Sequence, residues 1–256
     1  MNTLNKLVAA TLMTLAAGIS NVARAEQAAP PKAHNVVLVH GAYADGSSWS
    51  AVIPLLQKAG LHVTSVQNPL TSFADDVDAT RRILALQDGP TVLVGHSWAG
   101  MVISEAGVHD KVSGLVYVSA RAPDAGEDFG ALAAKFPKPP ASAGLVTSGG
   151  FAQLSEEAFL RDFAGDIDPL RARVLYAVQG RVASTLFNGR TTVAAWRTKP
   201  SWYQVSSNDR TIDPDLERFL ARRMSATTIE LPSSHLALIS HPDEITSLII
   251  DAAAGS

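Results

Sequence analysis

The sequence TVLVGHSWAG at residues 91–100 gives the clearest structural signal in this chain. It begins with a short run of apolar and β-branched residues, as in a buried strand, and residues 101–106 continue it with a helical pattern. Gly95 and Ala99 stand two positions before and two positions after Ser97, where small residues let the strand and the helix approach closely. The pattern predicts a sharp strand-to-helix turn that presents the Ser97 hydroxyl as a nucleophile.

The same turn places the backbone N–H of Trp98 at the start of the helix, where it can face a developing oxyanion. We expect the second donor from the loop after the first strand, at the N–H of Ala42 or Tyr43. A G-x-S-x-A match is weak by itself, and Ser97 in an ordinary βα turn is the alternative. The strand before it and the helix after it favour the nucleophile.

The composition sets broad limits on the function. The 256 residues suffice for one α/β domain with an inserted lobe, and the net charge of −3 gives no electrostatic case for binding nucleic acid. The chain has no cysteine, which excludes disulfides and thiolate catalysis. Since no metal-ligand spacing and no glycine-rich phosphate loop occur, we expect neither a metal nor a cofactor.

The N-terminus resembles a targeting segment. Lys6 precedes an uncharged, mostly apolar stretch at 7–19, and Ala23-Arg24-Ala25 fits a cleavage site. We expect residues 1–25 to be a signal peptide, with a hydrophobic leader helix as the alternative. This predicts a periplasmic or secreted protein, 26–256, with no membrane association after cleavage.

Strand and helix patterns alternate along the chain, which predicts a parallel sheet flanked by helices. Strands are expected at 36–40, 62–66, 91–94, 114–119, 202–206 and 227–231, and helices at 49–59, 72–87, 101–106, 214–224 and 242–254. The alternation stops at about 125–198, where helical segments are expected at 128–136, 155–164 and 168–179. We interpret this part as a helical cap inserted into a core formed by residues 34–124 and 199–256.

A serine nucleophile needs a base and a carboxylate that orients the base. His235 follows the last strand, so it is expected at the carboxyl edge of the sheet near Ser97. His241 is expected to help start the final helix, and His96 to point away from the turn.

For the carboxylate we choose Asp209, which follows the fifth strand of the sheet. Asp213 is better placed to cap the next helix. Asp124, after the fourth strand, is the rival for the triad position. The predicted triad is therefore Ser97, His235 and Asp209.

These motifs together resemble the α/β-hydrolases, in particular the small six-stranded group that includes plant methylesterases, hydroxynitrile lyases and bacterial esterases. The resemblance rests on VLVHGAYADGSSW (37–49), LVGHSWAG (93–100), LVYVSARAPDAGE (115–127), SSNDRTI (206–212) and PSSHLALISHP (232–242). It implies a mostly parallel sheet of order 2-1-3-4-5-6 and cleavage of small or medium carboxylic esters through an acyl-enzyme. Lactonase, amidase or perhydrolase activity on the same triad, or a non-catalytic ligand-binding role, are the alternatives.

Three positions bear on the pocket. Trp98 is bulkier than the residue that similar bacterial sequences carry. Arg121 stands where the family has an apolar residue; we expect it to face solvent or to pair within the cap, whereas an inward side chain could pair with a substrate carboxylate. Leu236 follows His235 where hydroxynitrile lyases carry lysine, which favours the esterases. The expected pocket residues are Tyr43, Trp98, Arg121, Phe136, Phe187, Trp196 and Leu236.

The expected partner is a small-molecule ester, and the protein is expected to be a monomer or a homodimer.

Overall fold

A computed structural model describes residues 32–255 of the chain. The expected signal peptide at 1–25 lies outside the described residues. Within residues 32–255, no helix is both long enough and apolar enough to cross a membrane.

The core consists of a six-stranded sheet with helices between its strands. In chain order the strands are β1 (Asn35–Val39), β2 (His62–Val66), β3 (Thr91–His96), β4 (Val112–Val118), β8 (Ser201–Ser206) and β9 (Thr227–Leu231), and three further strands between β4 and β8 lie in the cap. The core helices are α1 (Ile53–Lys58), α2 (Phe73–Leu86), α3 (Ala99–Ala106), α7 (Pro214–Arg223), α8 (Ala237–Ser240) and α9 (Pro242–Ala254).

All neighbouring strands of this sheet are parallel, and their order is β2-β1-β3-β4-β8-β9. Counted without the cap strands, this is the predicted order 2-1-3-4-5-6, so the predicted fold is confirmed. Every residue of β1 and of β3 is buried. Since successive side chains of a strand point to opposite faces, both faces of the sheet are covered, which explains the continuous apolar runs in the sequence.

Local signals set several helix boundaries. The Ser72 hydroxyl accepts the N–H of Asp75 and caps α2, and Asp213 accepts the N–H groups of Asp215 and Leu216 and caps α7. Each bond satisfies a backbone donor that the first helical turn leaves unpaired. The first loop differs from the prediction, because Asp45 caps a 3₁₀ turn at Gly46–Trp49 and α1 begins later, at Ile53.

The segment between β4 and β8 forms the cap. Its helices are α4 (Phe129–Ala133), α5 (Glu156–Ala158), which continues as a π-helical turn at Phe159–Phe163, and α6 (Pro169–Ala177). Its 3₁₀ turns are Pro140–Gly144, Leu186–Asn188 and Ala195–Arg197. The cap also holds a small antiparallel sheet of β5 (Leu145–Ser148), β6 (Phe151–Leu154) and β7 (Val182–Ala183), which the sequence analysis did not predict.

Candidate active site

Ser97 occupies the turn between β3 and α3 in a strained conformation. Its φ angle of 55° lies in the left-handed region, which non-glycine residues rarely adopt. A Cβ atom at Gly95 would lie 2.9 Å from the carbonyl oxygen of Ala99, so the predicted close approach of strand and helix is present. Ser97 as a residue is buried, with 7% exposure.

The three predicted triad residues form one chain of hydrogen bonds. His235 Nε2 lies 2.7 Å from Ser97 Oγ, and His235 Nδ1 lies 2.5 Å from Asp209 Oδ2. A carboxylate can only accept, so Nδ1 carries the proton and Nε2 is free to accept the Ser97 hydroxyl. The chain therefore has the geometry of a nucleophile with its base and orienting group.

The loop after β8 fixes the orientation of Asp209. The second carboxylate oxygen, Oδ1, accepts the backbone N–H groups of Thr211 at 2.6 Å and Ile212 at 3.0 Å. Asp124, the rival in the sequence, instead forms an ion pair with Arg197, whose Nε lies 2.7 Å from Asp124 Oδ1. Asp124 therefore does not contact His235.

A second acid, Glu217 of α7, lies beside Asp209 and is fully buried. Its Oε2 accepts the backbone N–H of Ser206, the last residue of β8, at 2.9 Å. Burial raises the pKa of Glu217 well above its ordinary value, and the negative charge of Asp209 raises it further. The Glu217 carboxyl is thus held neutral behind the triad.

Two further histidines support the loops around Ser97. The ring of His96 lies 4.8 Å from that of His235, and its Nε2 lies 2.9 Å from the His235 carbonyl oxygen. The expectation that His96 points away is therefore wrong. Burial lowers the pKa of His96 well below its ordinary value, and the charge of His235 lowers it further, so His96 is neutral. His40 Nε2 accepts the N–H of Asn68 at 2.9 Å, which anchors the loop after β1.

The backbone N–H groups expected to face the oxyanion have no other acceptor. Within residues 32–255, those of Ala42, Tyr43 and Trp98 form no hydrogen bond. Tyr43 also has a positive φ angle, 59°, which turns the loop after β1. A Cβ atom at Gly41 would lie 2.9 Å from Ser97 Cβ, so this loop passes directly beside the serine.

Aromatic rings from the core and the cap surround this region. Phe187 lies 5.4 Å from Trp98 and 6.2 Å from Tyr43 between ring centroids. Phe163 of the cap lies 5.1 Å from His235 and 6.3 Å from Tyr43. The sequence analysis missed Phe163, because nothing in the chain signals that this part of the cap reaches the triad loop.

Trp98 is held by a buried acid that the sequence did not single out. Its indole Nε1–H donates to Asp76 Oδ2 at 2.8 Å, and Asp76 Oδ1 accepts the N–H of Leu70 at the same distance. Burial raises the pKa of Asp76 to about 6, although both bonds act in the opposite direction. In the sequence, Asp76 stands in the first turn of α2, a position where an acid ordinarily suits the helix dipole and does not by itself indicate a contact with Trp98.

Arg121 does not point freely into solvent, and within residues 32–255 no acid forms an ion pair with it; its contacts in the cap are with aromatic rings. Its guanidinium carbon lies 4.5 Å from the ring centroid of Phe187, 5.1 Å from that of Phe129 and 5.6 Å from that of Trp98. The aromatic rings attract the cation through their negative faces.

Two expected pocket residues do not join this ring cluster. Phe136 packs on Phe219 of α7 at 5.7 Å between centroids. Trp196 donates its Nε1–H to the carbonyl oxygen of Pro123 at 2.8 Å and packs against Arg223. Both rings hold the base of the cap to the core.

A small cleft lies between cap and core, next to the loop that carries His235. The core side includes Tyr43 and Leu236, and the cap side includes Phe159, Phe163 and Leu175. Leu236 therefore contributes to an apolar wall next to His235. Within residues 32–255, no group of three or more potential metal-binding side chains comes together.

Comparisons with known proteins agree with this architecture. The family described as "Alpha/beta hydrolase family" matches residues 36–248. The chain is 26% identical over 249 residues to the pyrethroid hydrolase of Sphingobium wenxiniae, covering 86% of this chain and 87% of that protein. It is 24% identical to Methylesterase 2 of Arabidopsis thaliana, and the match covers 84% of this chain and 94% of that protein. The crystal structure of polyneuridine aldehyde esterase has a TM-score of 0.73 at 20% identity, covering 86% of this chain and 98% of that one, and it shows the common fold. The chain therefore belongs to the alpha/beta hydrolase family.

Proposed function

We propose that this protein is a carboxylic ester hydrolase in which Ser97 is the nucleophile, His235 the general base and Asp209 the orienting carboxylate. The observation that carries the proposal is the hydrogen-bond chain from Asp209 Oδ2 through His235 to Ser97 Oγ. The names of the relatives, a pyrethroid hydrolase and a methylesterase, support an ester as the substrate.

In the first half of the reaction, Ser97 Oγ attacks the ester carbonyl while His235 Nε2 takes the hydroxyl proton. The N–H groups of Trp98 and of Ala42 or Tyr43 stabilise the negative charge on the carbonyl oxygen. His235 then protonates the leaving alcohol, and the C–O bond of the ester breaks to leave an acyl group on Ser97. In the second half, His235 activates a water molecule, which hydrolyses this acyl-enzyme.

The environment of the triad suits this role. His235 is fully buried, and Asp209 keeps the proton of the His235 ring on Nδ1. The neutral His96 forms a hydrogen bond with the His235 backbone and adds no competing charge. The strained turn at Ser97 keeps the hydroxyl at the carboxyl edge of the sheet.

The test is hydrolysis of a graded series of p-nitrophenyl and methyl esters by the purified protein beside Ser97→Ala. We expect turnover by the wild type, loss of turnover in the variant, and labelling of Ser97 by a fluorophosphonate probe. Absence of both turnover and labelling in the wild type would refute the proposal.

The location of the protein belongs to the same proposal. The N-terminal segment supports export with cleavage after Ala25, and the core at 34–124 and 199–256 with the cap between them then forms the mature enzyme. Mass spectrometry of the protein from a periplasmic fraction of a bacterial host tests it. An intact N-terminus in the cytoplasmic fraction contradicts it.

A further inference from the structure

Arg121 brings a positive charge to the active-site region without a carboxylate partner. Its backbone N–H donates to the carbonyl oxygen of Ser97 at 3.0 Å, so the residue adjoins the nucleophile turn. Within residues 32–255, its guanidinium forms no ion pair and no hydrogen bond. Three aromatic rings lie against it.

These rings leave the directional bonding capacity of Arg121 unused. A guanidinium has five N–H donors in its plane, and rings contacting it do not replace oxygen acceptors for them. Arg223 offers an internal comparison, because it also lies against aromatic rings, of Trp196 and Phe219. Arg223, however, forms an ion pair with Glu127 at 2.8 Å. Arg121 thus differs from Arg223 in lacking an anion.

Tyr43 adds a second donor to the same region. Its ring contacts Phe187, whose ring centroid lies 4.5 Å from the Arg121 guanidinium carbon. Its hydroxyl forms no hydrogen bond within residues 32–255. Burial raises the pKa of Tyr43 to about 12, although the charge of Arg121 acts against this, so the hydroxyl keeps its proton and can donate.

We propose that Arg121 and Tyr43 bind a carboxylate of the substrate, so that the esters cleaved at Ser97 are half-esters that carry one free carboxylate besides the scissile ester. This inference rests on the proposed esterase function. One guanidinium matches one negative charge, and its planar fork fits the two oxygens of a carboxylate. The surrounding rings suit the apolar chain that joins the carboxylate to the ester.

The experiment compares monomethyl succinate, glutarate, adipate and pimelate with the corresponding ω-carboxamide methyl esters, which have nearly the same size but no charge. We expect kcat/KM to be at least about tenfold higher for the acid of the best chain length. Arg121→Gln should lower this acid-to-amide ratio by roughly 10- to 100-fold, the range for a lost hydrogen bond to a charged group. Arg121→Lys should lower it less, since the charge remains, and Tyr43→Phe should also reduce it.

Arg190→Gln is the matched control. Arg190 also belongs to the cap segment that carries Phe187, but its side chain is exposed and pairs with Asp128. The variant removes the same charge and should leave the acid-to-amide ratio as in the wild type. Equal kcat/KM for acid and amide in the wild type, or an unchanged ratio in Arg121→Gln, would overturn the carboxylate site while the esterase function stands.

A binding measurement separates this inference from the proposed function. Glutaramate, a carboxylate that carries an amide in place of the ester, is titrated into Ser97→Ala and Ser97→Ala/Arg121→Gln and followed by NMR. Binding that is weakened about tenfold or more by the second substitution supports the carboxylate site even where no ester is cleaved. Equal binding, or no binding to Ser97→Ala, overturns it.

Discussion

Asp166 of the cap holds Ser234, the residue directly before His235. Its Oδ2 accepts the backbone N–H of Ser234 at 3.0 Å, and its Oδ1 accepts the Ser234 hydroxyl. A second contact nearby joins the cap residue Asp162 to Arg210, the residue after Asp209, at 2.7 Å. The cap is thus bonded to both loops that carry the partners of Ser97.

We predict that Asp166→Ala lowers kcat about three- to tenfold, because the His235 loop loses its bonds to the cap and a small misplacement of a catalytic group is costly. KM should change less than kcat. Asp166→Asn should recover part of the loss, since its amide oxygen can still accept the Ser234 N–H. Steady-state kinetics on one p-nitrophenyl ester provide the measurement.

Glu156→Ala is the control for this prediction, because Glu156 also lies in the cap and its side chain is 55% exposed. It should leave kcat within about twofold. A decrease in thermal stability for Asp166→Ala with an unchanged kcat would assign Asp166 a structural role only.

Asp209→Asn should reduce kcat by about 10⁴, the loss seen when an orienting carboxylate becomes an amide in a serine protease triad. The N–H groups of Thr211 and Ile212 would keep the amide oxygen on their side. The amide nitrogen would then face His235 Nδ1, which must accept, so that Nε2 carries the proton and cannot act as the base.

The neighbouring acid Asp213 supplies the control, since it caps α7 and accepts N–H groups of that helix. Asp213→Asn should retain kcat within about threefold. A kcat of Asp209→Asn within tenfold of the wild type would show that another group orients His235.

Glu217→Gln should change how stability depends on pH. The native pKa of Glu217 is raised by burial and then by the charge of Asp209. From about pH 4.5 upward the unfolded chain releases this proton while the native protein keeps it, so the free energy of unfolding falls by up to about 1.4 kcal/mol per pH unit until the native pKa is reached. Glutamine removes this loss and can still accept the N–H of Ser206.

Guanidinium unfolding between pH 4 and 9 measures the effect as the difference between variant and wild type. The variant should gain relative stability as the pH rises. Glu230→Gln is the control of opposite sign, because Arg218 lowers the pKa of Glu230, whose contribution is lost as the pH falls. Parallel curves for Glu217→Gln and the wild type would contradict the prediction.

The sequence predicted the parallel sheet and brought Ser97, Asp209 and His235 together because each follows a strand at the same edge. That reasoning needs only strand order and direction, which apolar runs and turn residues specify. It did not predict that His96 contacts His235, since the direction of a buried side chain depends on packing across the sheet.

The contacts of the cap were beyond sequence reasoning for a different reason. Phe163 and Asp166 reach the loop of His235 across about 70 residues of chain, and no periodic pattern encodes such a pairing. Arg121 was expected to face solvent or to pair within the cap, because charged residues are mostly exposed or paired. The structure surrounds it with rings from positions 98, 129 and 187, and no sequence pattern signals such ring contacts.

The turn after Ser97 gives a last prediction, at Gly100 of α3. A Cβ atom there would overlap the carbonyl oxygen of Arg121 and lie 2.9 Å from the Ala120 side chain. Because these are parts of the neighbouring strand-end loop, Gly100→Ala should lower the free energy of unfolding by about 3 kcal/mol or more, at the upper end for overpacking. Gly130→Ala in α4 is the matched control, since its Cβ would meet only the Asp128 side chain at 3.3 Å. It should be neutral or stabilise by up to about 1 kcal/mol, as alanine does in a helix. Chemical unfolding of both variants decides the matter, and equal stabilities would mean that the loop after β4 moves freely away from α3.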